Sequence, residues 1–215
     1  MSLEVNEIFF SIQGESSHAG RPCVFIRLTG CNLRCTYCDT RYAYEEGSSK
    51  RIDDIEREIR PFRCTLVEVT GGEPLLQPQT PELIRRLLDD GYTVLLETNG
   101  SRDIGIVDDR CTRIVDVKCP SSGHADTNRL ENLAIVTPND EVKFVIGDRE
   151  DFDYAKGIIA TRLSPGSGLK PPLLSPVYGR LDPKDLARWI LADHLAVRLQ
   201  IQLHKWIWRA DKRGV

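Results

Sequence analysis

Three cysteines, Cys31, Cys35 and Cys38, fall within the stretch GCNLRCTYCDT of residues 30–40, spaced C-x3-C-x2-C. Disulfides are a poor reading of them. The chain has seven cysteines, an odd number, in 215 residues. Its opening, MSLEVNEIFF, carries Glu4 and Glu7 where a secretory leader would be apolar. No apolar run is long enough to span a bilayer. The expectation is a cytoplasmic protein with reduced thiols, in which clustered cysteines bind metal or do catalysis.

Structural zinc takes four protein ligands, commonly in paired units. The four histidines, His18, His124, His194 and His204, supply no second paired unit. A zinc-stabilised binding module stays open as an alternative, but without its fourth ligand. A [4Fe-4S] cluster takes cysteine thiolates, normally four. Three would leave one iron without a protein ligand, open to a small molecule. Cys23, Cys64, Cys111 and Cys119 read as core or incidental residues, since a free cysteine packs as a small hydrophobe.

Lys plus Arg number 29 and Asp plus Glu 32, a formal charge of −3. That lack of basic excess argues against a nucleic-acid binder. The length suits a single domain over residues 1–215.

The elements that must position the cysteines alternate. Runs rich in β-branched residues read as strands at 23–30, 64–71, 92–98, 113–118, 141–147 and 196–203, several nearly continuous in apolar character, as buried parallel strands are. Helices fall between them. TPELIRRLLDDG (80–91) has Thr80 as N-cap, Pro81 in the first turn and Gly91 as terminator. DPKDLARWILADHL (182–195) repeats the pattern behind Asp182, and weaker helices are expected at 52–60 and 151–163. Alternation of this kind implies crossover units and a mostly parallel α/β sheet, with chemistry at the carboxyl ends of strands. Three motifs lie there: Cys31 to Thr40, TGGEP (70–74) and ETNG (97–100).

The cysteine spacing is the signature of the radical S-adenosylmethionine (SAM) enzymes, which this chain resembles. In that family the open iron chelates SAM, and reductive cleavage yields a 5′-deoxyadenosyl radical. The resemblance implies that Thr36 and Tyr37 lie by the adenine, with Cys38 and Asp39 beside them. Gly72 and Glu73 of TGGEP would meet the amino group of SAM. DVKCPSSG (116–123) and LSPVYG (174–179) resemble later SAM-contacting loops, which would bring in Ser121 and Ser175.

The block VNEIFFSIQGESSHAGRPCVFIRLTGCNLRC, the pair Asp39-Thr40 and the closing LHKWIW together resemble the 7-carboxy-7-deazaguanine synthases of the queuosine pathway. That resemblance implies a trimmed radical SAM barrel of about six mostly parallel strands with fewer helices. It implies the substrate 6-carboxy-5,6,7,8-tetrahydropterin, ring contraction with loss of ammonia, Mg2+, a homodimer and an electron donor such as flavodoxin. Arg27 could pair bidentately with the substrate carboxylate. Ile12, Gln13, Gly14 and Glu15 would meet the pterin, the polar pair at its amide and amine edge. Thr40 offers a hard oxygen to magnesium. Thr70, Glu97 and His204 would complete the pocket. Arg27 and Glu15 could instead form a plain salt bridge with each other, Glu97 could cap a turn, and His204 could be a packed surface histidine. A glycyl-radical enzyme activase is the other enzyme reading. The tail HKWIWRADKRGV departs from the family pattern, and Val215 carries no assigned role.

Overall fold

The computed structural model describes residues 1–163, 168–208 and 212–215. The strands among them are β1 (Ser2–Ile12), β2 (Pro22–Leu28), β3 (Ser48–Arg51), β4 (Leu66–Gly71), β5 (Thr93–Thr98), β6 (Thr112–Val117), β7 (Glu141–Ile146), β8 (Leu173–Pro176) and β9 (Arg198–Leu199). They form one sheet of order 3-1-2-4-5-6-7-8-9. From β2 through β4 to β9 each neighbouring pair is parallel, while β1 runs antiparallel to β2 and β3.

The helices are α1 (Ile52–Ile59), α2 (Thr80–Asp89), α3 (Arg149–Arg162), α4 (Pro183–Ala192) and the short α5 (His204–Ile207). Helices α2, α3 and α4 carry the crossovers from β4, β7 and β8. The crossovers from β5 and β6 carry only 3-10 turns. The fold is thus mixed α/β with a mostly parallel sheet, as the alternation predicts, and has fewer helices than a full barrel, as the family resemblance implies.

Three local readings are corrected. Strands β1, β3 and β8 were not expected, and the 196–203 run pairs only at Arg198–Leu199. Thr80 lies inside α2, buried, and donates its hydroxyl to the Pro74 carbonyl at 2.7 Å instead of capping the helix. The parallel strands are also not uniformly apolar. One face, with Val24, Ile26, Val67, Val69, Val94 and Leu96, packs on Ile55, Leu83 and Leu87 of α1 and α2. Phe144, Ile146 and Leu174 do the same against Phe152 and Ala155 of α3 and Leu186 of α4. The opposite face starts apolar, with Cys23, Phe25, Leu66, Leu95 and Ile114. Continuing at the strand period of two, it then carries Arg27, Glu68, Thr70, Glu97 and Asp116.

That polar face is wrapped inward. The loop between β1 and β2, closed by Gln13 N to Arg21 O at 2.8 Å, reaches across to the far strands. Ser16 N donates to Gln200 Oε1 at 2.7 Å, Ser17 N to Glu141 Oε2 at 2.9 Å, and Leu203 N to the Gly14 carbonyl at 2.9 Å. In the sheet β4, β5 and β6 separate β2 from β7, so these contacts require the sheet to curl into a partial barrel. Among the described residues no helix is long and apolar enough to cross a membrane.

Where helices are missing, side chains tie the crossovers down. Arg113, 2% exposed, forks onto Asp140 with Nε to Oδ1 at 3.0 Å and Nη2 to Oδ2 at 2.6 Å. Removing one partner leaves a buried charge uncompensated, so Asp140→Ala is expected to lower unfolding stability by about 3–5 kcal/mol. Urea denaturation followed by circular dichroism measures it.

Candidate active site

The cysteine loop leaves the carboxyl end of β2 and is held from two sides. On one side the turn after β4 packs against it, with Glu73 N donating to the Gly30 carbonyl at 2.8 Å. A Cβ on Gly72 would lie 2.2 Å from the Gly30 oxygen and 2.7 Å from Cys31 Cβ, so only glycine permits this approach. On the other side the loop docks on residues 121–124. Arg34 N donates to His124 Nε2 at 2.9 Å, and Thr36 donates through its backbone to Ser122 O at 3.2 Å and through its hydroxyl to Ser121 O at 2.7 Å. Cys31 Sγ accepts from Leu33 N at 3.4 Å and Asn99 Nδ2 at 3.9 Å.

Cys31, Cys35 and Cys38 all line one cavity of about 1020 Å³. Among the described residues no three His, Cys, Asp or Glu side chains converge as a single-ion site would need, so the fourth ligand of a zinc module is not supplied. Three thiols lining the same cavity can serve a polynuclear cluster. Two buried polar atoms beside them, the Tyr37 hydroxyl and Asp116 Oδ1, find no partner among the described residues. Both residues line the cavity, and buried polar atoms are rarely left unmatched, so a polar ligand fits there. Burial pushes the Cys31 and Cys35 thiols up, with Lys118 acting against it at both.

Deeper in the cavity lies a charged floor. Lys143 Nζ, on β7, bonds Glu15 Oε2 at 2.9 Å and also Glu97. Gln202 Nε2 donates to Glu15 Oε1 at 2.8 Å, and Gln13 donates to Glu68. Burial opposes ionisation of Glu15, yet Lys143 and Gln202 hold it down to about 2. Burial pushes Glu97 up to about 8 despite Lys143, with Glu15 and Glu68 adding to the rise. It pushes Glu68 up to about 7, where Glu15 is the next cause. His204 caps this end. A Cβ on Gly14 would meet its Nδ1 at 2.0 Å, so the glycine makes room for the imidazole.

Arg27, on β2, gives its Nε to Glu7 Oε1 at 2.8 Å, and Tyr42 donates its hydroxyl to the same oxygen at 2.9 Å. The guanidinium thus pairs with Glu7, not with Glu15. Among the described residues its two Nη groups meet no hydrogen-bond partner, and Arg27 lines the cavity. Above it Arg213 stacks on Tyr42 at 3.7 Å and pairs with Glu46 at 2.9 Å, bringing residues 212–215 onto the cavity wall. Thr40 donates to Asp39 Oδ1 at 2.9 Å, and Asp39 Oδ2 pairs with Lys205 at 2.6 Å.

Of the expected site residues, Ile12, Gln13, Gly14, Glu15, Arg27, Thr70, Glu97 and His204 line this cavity, as do Tyr37, Cys38, Asp39, Thr40 and Gly72. Three do not. Glu73 is fully buried, its carboxylate taken by Leu75 N at 3.0 Å, Thr98 Oγ1 at 2.9 Å and Asn99 N at 2.7 Å. Ser121 turns its backbone N–H (2.8 Å) and its hydroxyl to Asp151. Ser175 is buried within β8. The sequence reading missed Glu7, Tyr42, Glu68, Asp116, Lys118 and Lys143. For the last four a signal existed: a charged residue at alternate positions of an apolar strand, or at its end.

The description of the Radical SAM superfamily matches residues 25–161. The chain belongs to that class, which is consistent with cysteines at the carboxyl end of the first parallel strand. Among curated proteins, the 7-carboxy-7-deazaguanine synthase of Chlorobaculum tepidum is 47% identical over 219 residues, covering 99% of this chain and 97% of that one. That of Koribacter versatilis is 42% identical over 227 residues, covering 99% and 100%. Within the class, the chain belongs to the 7-carboxy-7-deazaguanine synthase family. The crystal structure of QueE from Escherichia coli shares the fold, with a TM-score of 0.78 at 24% identity over 95% of both chains. SuiB of Streptococcus suis, solved bound to S-adenosylmethionine, shares it more loosely, with a TM-score of 0.53 at 13% identity over 80% of this chain and 44% of that one. Both likenesses concern the fold alone.

Two predictions follow from the geometry. Gly72→Ala is expected to displace the 30–31 backbone, and anaerobic reconstitution should then give well under half the iron and sulfide of the unchanged protein, by chemical analysis. The second concerns pH. Glu97 and Glu68 sit above the ordinary carboxyl value of 4.5 in the folded chain. Their folded state therefore binds more protons than the unfolded one, and stability falls as pH rises from about 5 to 8. Glu15 titrates far below this window. Melting temperatures across that range should decline, and Glu97→Gln should flatten the slope.

Proposed function

We propose that this chain converts 6-carboxy-5,6,7,8-tetrahydropterin to 7-carboxy-7-deazaguanine with release of ammonia. The observation that carries the reading is one cavity lined together by three thiols, a guanidinium whose Nη groups are unengaged among the described residues, and a cluster of carboxylates. Cys31, Cys35 and Cys38 would hold a [4Fe-4S] cluster. The orphaned Tyr37 hydroxyl and Asp116 Oδ1, with Gly72, Asp39 and Lys118, would bound the SAM site, and Glu73, Ser121 and Ser175 would support it from behind. Held there, the cluster and SAM would supply radical hydrogen-abstraction chemistry directed at C6 of the substrate.

The chain's own residues orient that carbon. Arg27 is braced through Nε, so its Nη pair can grip the substrate carboxylate as a fork. Gln13, Glu15 and Glu97 accept from and donate to the amide and amine edge of the pterin. Ile12, Gly14, Thr70 and His204 close around the ring. Thr40 offers its hydroxyl to Mg2+, whose remaining ligands would come from substrate and water. A guanidinium at one end and acceptors at the other fix the ring in two places, the positional control a radical step requires. The reading includes a single domain over 1–215, a homodimer, a cytoplasmic setting and a flavodoxin-like reductant.

Arg27→Ala should keep iron content and SAM binding, yet lower kcat/KM for the carboxytetrahydropterin roughly a hundred- to a thousand-fold, as expected for a stranded buried charge. Arg27→Lys should recover part. Product and ammonia are followed by chromatography with dithionite as reductant. Unchanged protein that forms neither product, but installs a radical on a partner protein, would favour the activase instead.

A further inference from the structure

Lys143 at the cavity floor faces three carboxylates brought by three different segments. Lys143, 6% exposed on β7, bonds Glu15 from the β1–β2 loop and Glu97 from β5, and stands 4.0 Å from Asp116 Oδ2 on β6. Glu68 on β4 adjoins through Gln13, and His204 packs from α5. Carboxylates this close resist ionising together. One ammonium cannot offset them all, so where it sits decides which oxygens carry charge. Asp116 has its own cation, Lys118 at 2.7 Å. Lys143 is thereby left to Glu15 and Glu97.

A carboxylate can accept about four hydrogen bonds. Glu15 spends Oε1 on Gln202 at 2.8 Å and Oε2 on Lys143 at 2.9 Å and Gln200 at 3.3 Å. Both oxygens are oriented by these donors: Oε2 is filled by its two, and Oε1 retains room for one more. We propose that Lys143 is a positioning residue: it holds Glu15 as a charged acceptor and Glu97 as its oriented neighbour, and so makes the floor select a heteroaromatic edge carrying adjacent N–H donors. This rests on the pterin reading and names the part of the site that recognises the amino-amide edge. Without the cation Glu15 would lose its charge or the pair would turn apart, and the edge would be read poorly even though the residues that touch it remain.

The test uses the reconstituted iron-loaded enzyme with SAM. Equilibrium binding is measured for 6-carboxypterin and for 6-carboxylumazine, in which the 2-amino group is replaced by oxygen. The unchanged enzyme should prefer the pterin by at least about tenfold, since hydrogen bonds to charged groups are worth that much or more. Lys143→Met should weaken pterin binding about 10- to 100-fold while lumazine changes little, bringing the ratio to within about threefold. Lys143→Gln keeps a donor but no charge, and the same collapse is expected. Lys143→Arg should hold the ratio above that of either neutral variant.

If an iron-loaded neutral variant keeps the original preference, the positioning role is overturned while the pterin reading stands. Loss of fold and iron in both neutral variants also overturns it, making Lys143 a structural counter-ion. An unchanged enzyme that shows no preference, or prefers the lumazine, overturns the pterin reading itself.

Discussion

The site depends on the tie between the loop after β1 and the far strands of the sheet. Seven strands in parallel succession would by themselves make a trough with its polar face in water. Ser16, Ser17, Gly14 and Glu15 turn it into a cavity by bonding Gln200, Glu141, Leu203 and Lys143. The tie is made of polar groups, and such contacts add modestly to stability. Their value lies in position. A hydrogen bond or buried ion pair is satisfied in only one register, so the loop cannot slide without leaving a donor or a charge unmatched.

Much of this was legible in the sequence where the signal was local. Cys31, Cys35 and Cys38 are neighbours in the chain, and their spacing needs no fold to be read. The helices behind Thr80 and Asp182 announced themselves through proline and an apolar stripe, although Thr80 proved to serve the Pro74 carbonyl. Strand β1 was hidden because the alternation that buries Leu3 and Val5 breaks at the irregularity between Val5 and Glu7. Its role shows only when paired with β2, where Glu7 faces Arg27. The 196–203 run has the alternation of a strand, but after Arg198–Leu199 the chain turns inward so that Gln200 and Gln202 can reach the β1–β2 loop and Glu15. Glu68 and Lys143 were passed over for a related reason: each looks like an interruption until the face it shares with Arg27 and Glu97 is known.

Loss of helices reshapes how the sheet is covered. Between β5 and β7 the work passes to short turns stitched by single side chains. Asn132 gives its amide to Gly100 O at 3.0 Å and Arg102 O at 2.7 Å, while its oxygen accepts from Ile104 N at 3.3 Å. Arg113 and Asp140 pin the start of the same strands. A helix would spread that load over many apolar contacts. A stitched crossover concentrates it, so tolerance to substitution should be uneven there, low at three or four polar residues and high between them.

The β1–β2 loop also sets an order of assembly during synthesis. Ser16 meets Gln200 across 184 residues of chain, and Glu15 meets Gln202 across 187. Contacts so distant in sequence form late, after the chain between them is in place. On a ribosome the cysteine loop, its supporting TGGEP turn and residues 121–124 can come together while residues 200–203 are still unmade. The wall for the cluster can therefore exist before the floor for the substrate does. Completion of the cavity becomes a late event of folding, decided by whether residues 200–203 find a loop made more than 180 residues earlier.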